Sequence, residues 1–365
     1  MNTSSWLWGS RLTALGFSVG LGLTPLTTRA QLSFDLIHDP SMNAQALAGF
    51  QMAANRWSSV LQDHVTVTIN IGFSSLGAGI LGQTGSTGGW VDYSSFKLAL
   101  AYDATSKLDV SAVTSLQPGS SFSMLINRTA DNPNGPGSAV PYLDNDGSDN
   151  NSYVRMTIAN ARALGLYSSS GGASDGTIRF NSDFAFDFDP TDGIDADKID
   201  FVGVATHEIG HALGFISGVD TLTYNSPPFG GPYPSDAFVY VSPLDFFRYS
   251  VDSRAQGKGV IDYTADTRMK YFSVDGGNTG LALFSTGESG DGWQASHWID
   301  NWGYGIMDPA AAYGELLSLS KTDVAAFDAI GWDTVRAVPE PSTYGLIGAG
   351  MLGLAMILRR RRVRR

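Results

Sequence analysis

The sequence predicts a single α+β domain over residues 31–335, flanked by a targeting segment at each end. Three observations carry this. A strand–helix–strand pattern opens the domain, a helix-period stretch near residue 200 holds an H-E-x-x-H pattern, and a capped amphipathic helix closes it. The expected arrangement is a twisted sheet with a backing helix and an active-site helix, followed by a C-terminal part.

LSFDLIHDP (32–40) alternates and reads as the first strand. Residues 43–61 place Leu47, Phe50, Ala53, Trp57 and Val60 at helical spacing, and HVTVTINIGF (64–73) alternates again. Residues 72–90 and 129–152, rich in Gly, Ser, Asn and Asp, read as loops. FSMLINR (122–128) reads as a strand and MTIANARALGL (156–166) as a helix. GTIRFNSDFAFDF (176–188) has strand character, and DPTDGIDADK (189–198) is a loop leading into the motif helix. That helix, DKIDFVGVATHEIGHALGF, ends at Gly214, a residue suited to a C-terminal cap. Residues 218–295 show turns and a few strands without strong periodicity. SKTDVAAFDAIGWD (320–333) offers Ser320 as N-cap with Asp323 three residues on.

Residues 1–30 read as a signal peptide: Arg11, a short apolar stretch from Leu12 to Leu23, then Thr28-Arg29-Ala30, with cleavage after Ala30. Export through the Sec machinery and cutting by signal peptidase follow. At the other end stand Val338-Pro339-Glu340-Pro341, an apolar span from Tyr344 to Leu358, and six arginines in the last seven positions. Arginines beside a span stay on the cytoplasmic side, which puts the domain outside. The three-part tail, 338–365, resembles a PEP-CTERM sorting segment. The resemblance implies a Gram-negative, exopolysaccharide-producing bacterium and an exosortase-type enzyme as partner. The protein would be anchored transiently by the tail in the cell envelope, then reach the surface or matrix.

The whole chain carries −12; without the two arginines of the first segment and the net +5 of the tail, residues 31–338 carry −19. So acidic a domain is a poor fit to nucleic acid or to anionic lipid, which leaves the tail as its only membrane contact. There is no cysteine, which excludes a thiol protease, a Cys-ligated zinc and latency through a propeptide cysteine.

His207 and His211 are four apart, so a helix puts both imidazoles on one face, where they can share one zinc. Glu208 sits one position round, close enough to act as general base toward water without coordinating. The chain has only five histidines, so this pattern arises by chance in roughly one such chain in a thousand. In the longer form of the motif a third histidine stands where this chain has Ser217. Asp220, Glu288 and His297 are the candidates to replace it. His297 is favoured, because GIMDPA with Met307 follows it in a turn-like setting.

HEIGHALGF, a long insertion, SHW and IMDP together resemble the metzincin zinc peptidases in their leishmanolysin-like arrangement. More narrowly the chain resembles bacterial PEP-CTERM metalloproteases, through LDFFRYS (244–250), FSTG…GDGWQASHW (284–298) and FDAIGWD (327–333). The resemblance implies His207, His211 and His297 as zinc ligands, Glu208 as base and Met307 as the Met-turn methionine. It further implies Tyr313 as a candidate oxyanion stabiliser and TIRF (177–180) as the edge that pairs with extended substrate. Unlike leishmanolysin-like proteins, this chain has no disulfides.

His38 and His64 read as structural or exposed. Asp187, Asp189, Asp192 and Asp195, and separately DNDGSDNN (144–151), are candidate calcium ligands without the EF-hand spacing. The expected function is zinc-dependent endopeptide hydrolysis of a polypeptide substrate. The alternative is a non-catalytic envelope or matrix-adhesion protein with a structural zinc.

Overall fold

The computed structural model describes residues 31–335 apart from 78 and 169–173. The signal segment 1–30, the sorting residues Val338 to Pro341 and the apolar span 344–358 lie outside the described residues.

The first half runs β1 (Ser33–Ile37), α1 (Ala44–Val60), β2 (Thr66–Ser74), β3 (Gly82–Ser86), β4 (Gly88–Asp92), α2 (Tyr93–Asp103) and α3 (Lys107–Ser115). It continues through β5 (Met124–Ile126), β6 (Tyr142–Asp144), β7 (Tyr153–Thr157), α4 (Ile158–Ala163), β8 (Gly176–Asn181), β9 (Phe186–Asp187) and β10 (Ile199–Asp200). The motif helix α5 (Phe201–Leu213) follows, then α6 (Gly218–Tyr224), β11 (Arg248–Tyr249), α7 (Val251–Gln256) and β12 (Ile261–Asp262). β13 (Lys270–Phe272), β14 (Ala282–Phe284) and α8 (Lys321–Ala329) complete a mixed α+β fold with eight α-helices among the described residues. None of these helices is long and apolar enough to cross a membrane.

The principal sheet has the order β1-β2-β8-β3, with β3 antiparallel and the other neighbours parallel. Alternation in β2 sends Val67, Ile69 and Ile71 to one face. Against that core pack α1 and α5, where Phe50, Phe180 and Phe201 meet in edge and tilted contacts with centroids 4.7–5.1 Å apart. Gly49 lets the two helices close up, since a Cβ there would run into the Phe201 ring. Trp57 of α1 donates its indole N–H to Thr206 O of α5 at 2.8 Å.

Two expectations are corrected here. TIRF lies in β8, whose backbone is paired on both sides, so it is interior. The edge is β3, within the stretch 72–90 that reads as loop. GQTGS has no apolar alternation; β3 is a strand because β8 offers an unpaired edge and α5 lies against it. The segment 212–296 is joined to the first half by backbone pairing of β12 with β5 (Ile261 with Met124).

The chain end is tied back by an acidic seam. Asp63, Asp103 and Asp333 bring carboxylate oxygens within 4.8 Å of one another, and Asp333 N–H donates to Asp63 at 3.0 Å. Burial first, then neighbouring carboxylates, push Asp63 up to about 8 and Asp103 up to about 7. Both hold protons more tightly folded than unfolded. Their contribution to stability is therefore whole below the ordinary carboxylate value of 3.8 and is lost as pH rises from there to about 7 for Asp103 and about 8 for Asp63. Urea midpoints measured across that range should fall with rising pH, and Asp63→Asn should flatten the fall. A midpoint that rises over the range would contradict this.

Candidate metal centre

Helix α5 starts where Asp200 caps it, its carboxylate accepting Gly203 N–H at 2.7 Å, and stops at Gly214 with φ of 123°. This start is later than Asp197, because Ile199 and Asp200 pair with β9 first. The helix is buried on almost every side except at His207 and His211, and His207 faces a cleft.

Three imidazoles meet there. Nε2 of His211 lies 3.0 Å from Nε2 of His207 and 3.2 Å from Nε2 of His297, and the third side of the triangle is 3.2 Å. A tetrahedral zinc with bonds of about 2.05 Å needs nitrogen atoms about 3.3 Å apart. The other ring nitrogens face carbonyls: His207 Nδ1 is 2.8 Å from Ile306 O, His211 Nδ1 2.7 Å from Phe215 O, His297 Nδ1 3.2 Å from Gln294 O. A carbonyl only accepts, so each Nδ1 carries the hydrogen and each Nε2 presents a lone pair. Three lone pairs converging in a buried site, with no donor among them, fit a cation. Burial lowers His207 to about 4; burial and then the neighbouring rings lower His211 to about 3 and hold His297 well below the usual imidazole range. All three are neutral near pH 7, the form that binds metal.

Glu208 stays out of the triangle. Its Oε2 accepts the Thr84 hydroxyl at 2.5 Å, and Ser86 Oγ donates to His211 O at 3.1 Å, so two side chains of β3 hold the sheet edge to the motif helix. Gly82 keeps this approach open: a Cβ there would stand 3.2 Å from Glu208 Oε1. Burial raises the Glu208 carboxyl to about 7, against the opposing bond from Thr84. His207, Glu208, Gly82, Trp293, Asp308 and Leu317 belong to the wall of one cavity of about 360 Å³.

Met307 is buried beneath this floor, and a Cβ on Gly210 would be 2.5 Å from its sulfur. The turn that carries it hangs on Asp323. That carboxylate accepts Ile306 N–H at 2.8 Å, Met307 N–H at 3.3 Å, Ser320 N–H at 2.8 Å and Trp298 indole N–H at 2.9 Å.

Of the other two candidates for third ligand, Asp220 binds the backbone of Ala295 and Ser296. Glu288 accepts the Tyr224 hydroxyl at 3.0 Å. Neither belongs to the group of three histidines that could hold one metal ion. Tyr313 is 57% exposed and is not among the residues lining the cavity. His38 lies against the Asp39 carbonyl and His64 is exposed. Two of the carboxylates of 187–195 turn inward on their own loop, Asp187 accepting N–H from Asp189 and Asp195 and Asp189 accepting from Thr191, while Asp195 pairs with Lys198 and Asp192 is exposed. In 144–151, Asp144 accepts from Asn150 and Asp146 from Ser148.

Ser217 is no defect. It caps α6 and gives its hydroxyl to Asp245 at 2.6 Å. Sequence reasoning missed Thr84, which sits in a Gly/Ser/Thr stretch without a signal, and saw Asp323 only as a cap.

Residues 337–362 match the PEP-CTERM protein-sorting motif. No curated protein and no solved structure matches the chain. The sorting motif indicates export and sorting in the envelope of Gram-negative bacteria, and implies recognition by exosortase-type machinery.

Proposed function

We propose that the protein is an exported zinc-dependent endopeptidase with His207, His211 and His297 as ligands and Glu208 as general base. What supports this reading above all is the triangle of Nε2 lone pairs with a non-ligating carboxylate beside it on an open cleft. When bound, zinc supplies Lewis acidity, which lowers the pKa of water and polarises a carbonyl.

The chain's own residues do the rest. The three Nδ1 bonds to carbonyls orient the imidazoles and keep the hydrogen off Nε2. Glu208, steadied by Thr84, takes a proton from the attacking water and later returns one to the leaving amine. The free edge of β3 supplies backbone N–H and C=O groups for an extended polypeptide, giving binding that tolerates many side chains. The cavity beside Glu208 receives one substrate side chain. Export through Sec, removal of 1–30 by signal peptidase and removal of the tail near Val338 belong to the same reading.

A structural zinc in an adhesion protein is the competing reading. Structural sites are closed by four protein ligands. Here three histidines form the metal-capable group at the cleft, and the carboxylate beside them is not one of its members. Incubation of the purified protein with unfolded casein decides. Peptides should appear, stop on chelation and return with added zinc. Zinc-loaded protein that leaves casein intact would favour adhesion.

A further inference from the structure

His297 stands at the far end of an excursion of 85 residues from His211, so contacts outside the motif helix must place it. The segment leading to it is rich in glycine and serine and folds on itself, Asp291 accepting the Ser285 hydroxyl and the Thr286 N–H. It reads STGESGDGW over 285–293, with Gly287 and Gly292 both at φ of 92°.

Two charged side chains, Arg248 buried and Asp220 half-buried, grip the backbone just beyond this segment. Ala295 N–H donates to Asp220 Oδ1 at 2.6 Å, and Ser296 N–H donates to Asp220 Oδ2 at 3.2 Å. From the opposite side, Arg248 Nη1 donates to Ala295 O at 3.2 Å, while its Nη2 donates to Ser285 O at 2.6 Å. Ser285 N–H then donates to the carbonyl of His297 at 3.0 Å. Both ends of the glycine-rich segment are thereby fixed to α6 and β11, and His297 to both.

The arrangement is an expensive one to keep. Arg248 is 1% exposed, with its guanidinium over the Phe284 ring at 4.8 Å, and it spends two of its donors on carbonyls. Its charge lies in the field of Asp245, Asp262, Asp220 and Asp291 rather than in a paired bridge. An apolar side chain of that volume would pack there at lower desolvation cost. What an apolar residue cannot do is hold two carbonyls in register.

We propose that Asp220 and Arg248 are positioning residues for the third imidazole. Clamping the Ala295 peptide from both sides, they hold His297 Nε2 where the lone pairs of His207 and His211 meet, and so set the metal affinity of the site. The proposal rests on the reading of the three histidines as a zinc site. Asp220, a sequence candidate for the third ligand, thus acts on the metal through His297.

The test uses the full chain in detergent, loaded with Zn²⁺ or Co²⁺, and compares Asp220→Asn, Asp220→Glu and Arg248→Met with the unaltered protein. Zinc affinity is read by competition with a chromophoric chelator, and ligand number from the Co²⁺ visible absorption. Losing an outer contact of this kind weakens metal binding by about 10- to 100-fold. We expect that loss in Asp220→Asn and Arg248→Met, with a weaker Co²⁺ band as His297 leaves. Asp220→Glu keeps the charge and both acceptor oxygens, should lose less, and decides the matter if the other variants fail to fold. Asp175→Asn, which disturbs a buried carboxylate just before β8 that accepts the Thr68 N–H of β2, should lower the melting temperature and leave both metal readouts unchanged. Folded Asp220 and Arg248 variants with unaltered zinc affinity and Co²⁺ spectrum overturn this proposal alone. If the unaltered protein binds neither ion, the metal reading falls, and this proposal with it.

Discussion

Glu208→Gln lowers kcat/KM for casein by about 10²- to 10⁴-fold, the range a positioned acid–base group contributes, while bound zinc is unchanged. Glutamine keeps the volume and an oxygen to accept the Thr84 hydroxyl, so the link between β3 and α5 survives. What it lacks is a site for the proton. The loss should therefore fall on kcat, with KM little altered, since Glu208 stands beside the three imidazoles rather than among them. Initial rates on a fluorogenic peptide, paired with metal analysis of the same sample, read both quantities. An undiminished rate would place the base elsewhere.

Asp323→Ala costs on the order of 4 kcal/mol of folding stability or more, because it strands buried donors at about 1–3 kcal/mol each. Four N–H groups converge on that carboxylate, and three of them belong to the segment around the metal centre: Trp298 beside His297, Ile306 whose carbonyl holds His207, and Met307 beneath Gly210. The fourth, Ser320 N–H, makes the same residue the capping partner of α8. Loss of this residue should therefore lower the urea midpoint and the zinc affinity together. Asp323→Asn retains one acceptor oxygen and should fall between. A midpoint within experimental error of the unaltered protein would show that the turn is held by something else.

The elements legible in advance are those whose local pattern and tertiary environment agree. In α1, β2, α5 and α8 the apolar spacing matches the buried face, and Asn43, Asp200 and Ser320 cap three of them. Helix α2, by contrast, leaves Leu98 and Tyr102 exposed and has no clean stripe, so its sequence hides it. β3 is the extreme case: it has no strand signal, yet supplies Thr84 and the free edge beside the cleft. His297 could be anticipated because a turn with Met307 follows it. The roles of Asp220 and Arg248 could not, since they depend on where an 85-residue segment without periodicity returns.

The most direct test is X-ray absorption at the zinc edge of the loaded protein. Three imidazole nitrogens and one oxygen at about 2.0–2.1 Å are expected, falling to two imidazoles in His297→Ala. Two imidazoles with two carboxylate oxygens in the unaltered protein, and no change on replacing His297, would contradict the site described here.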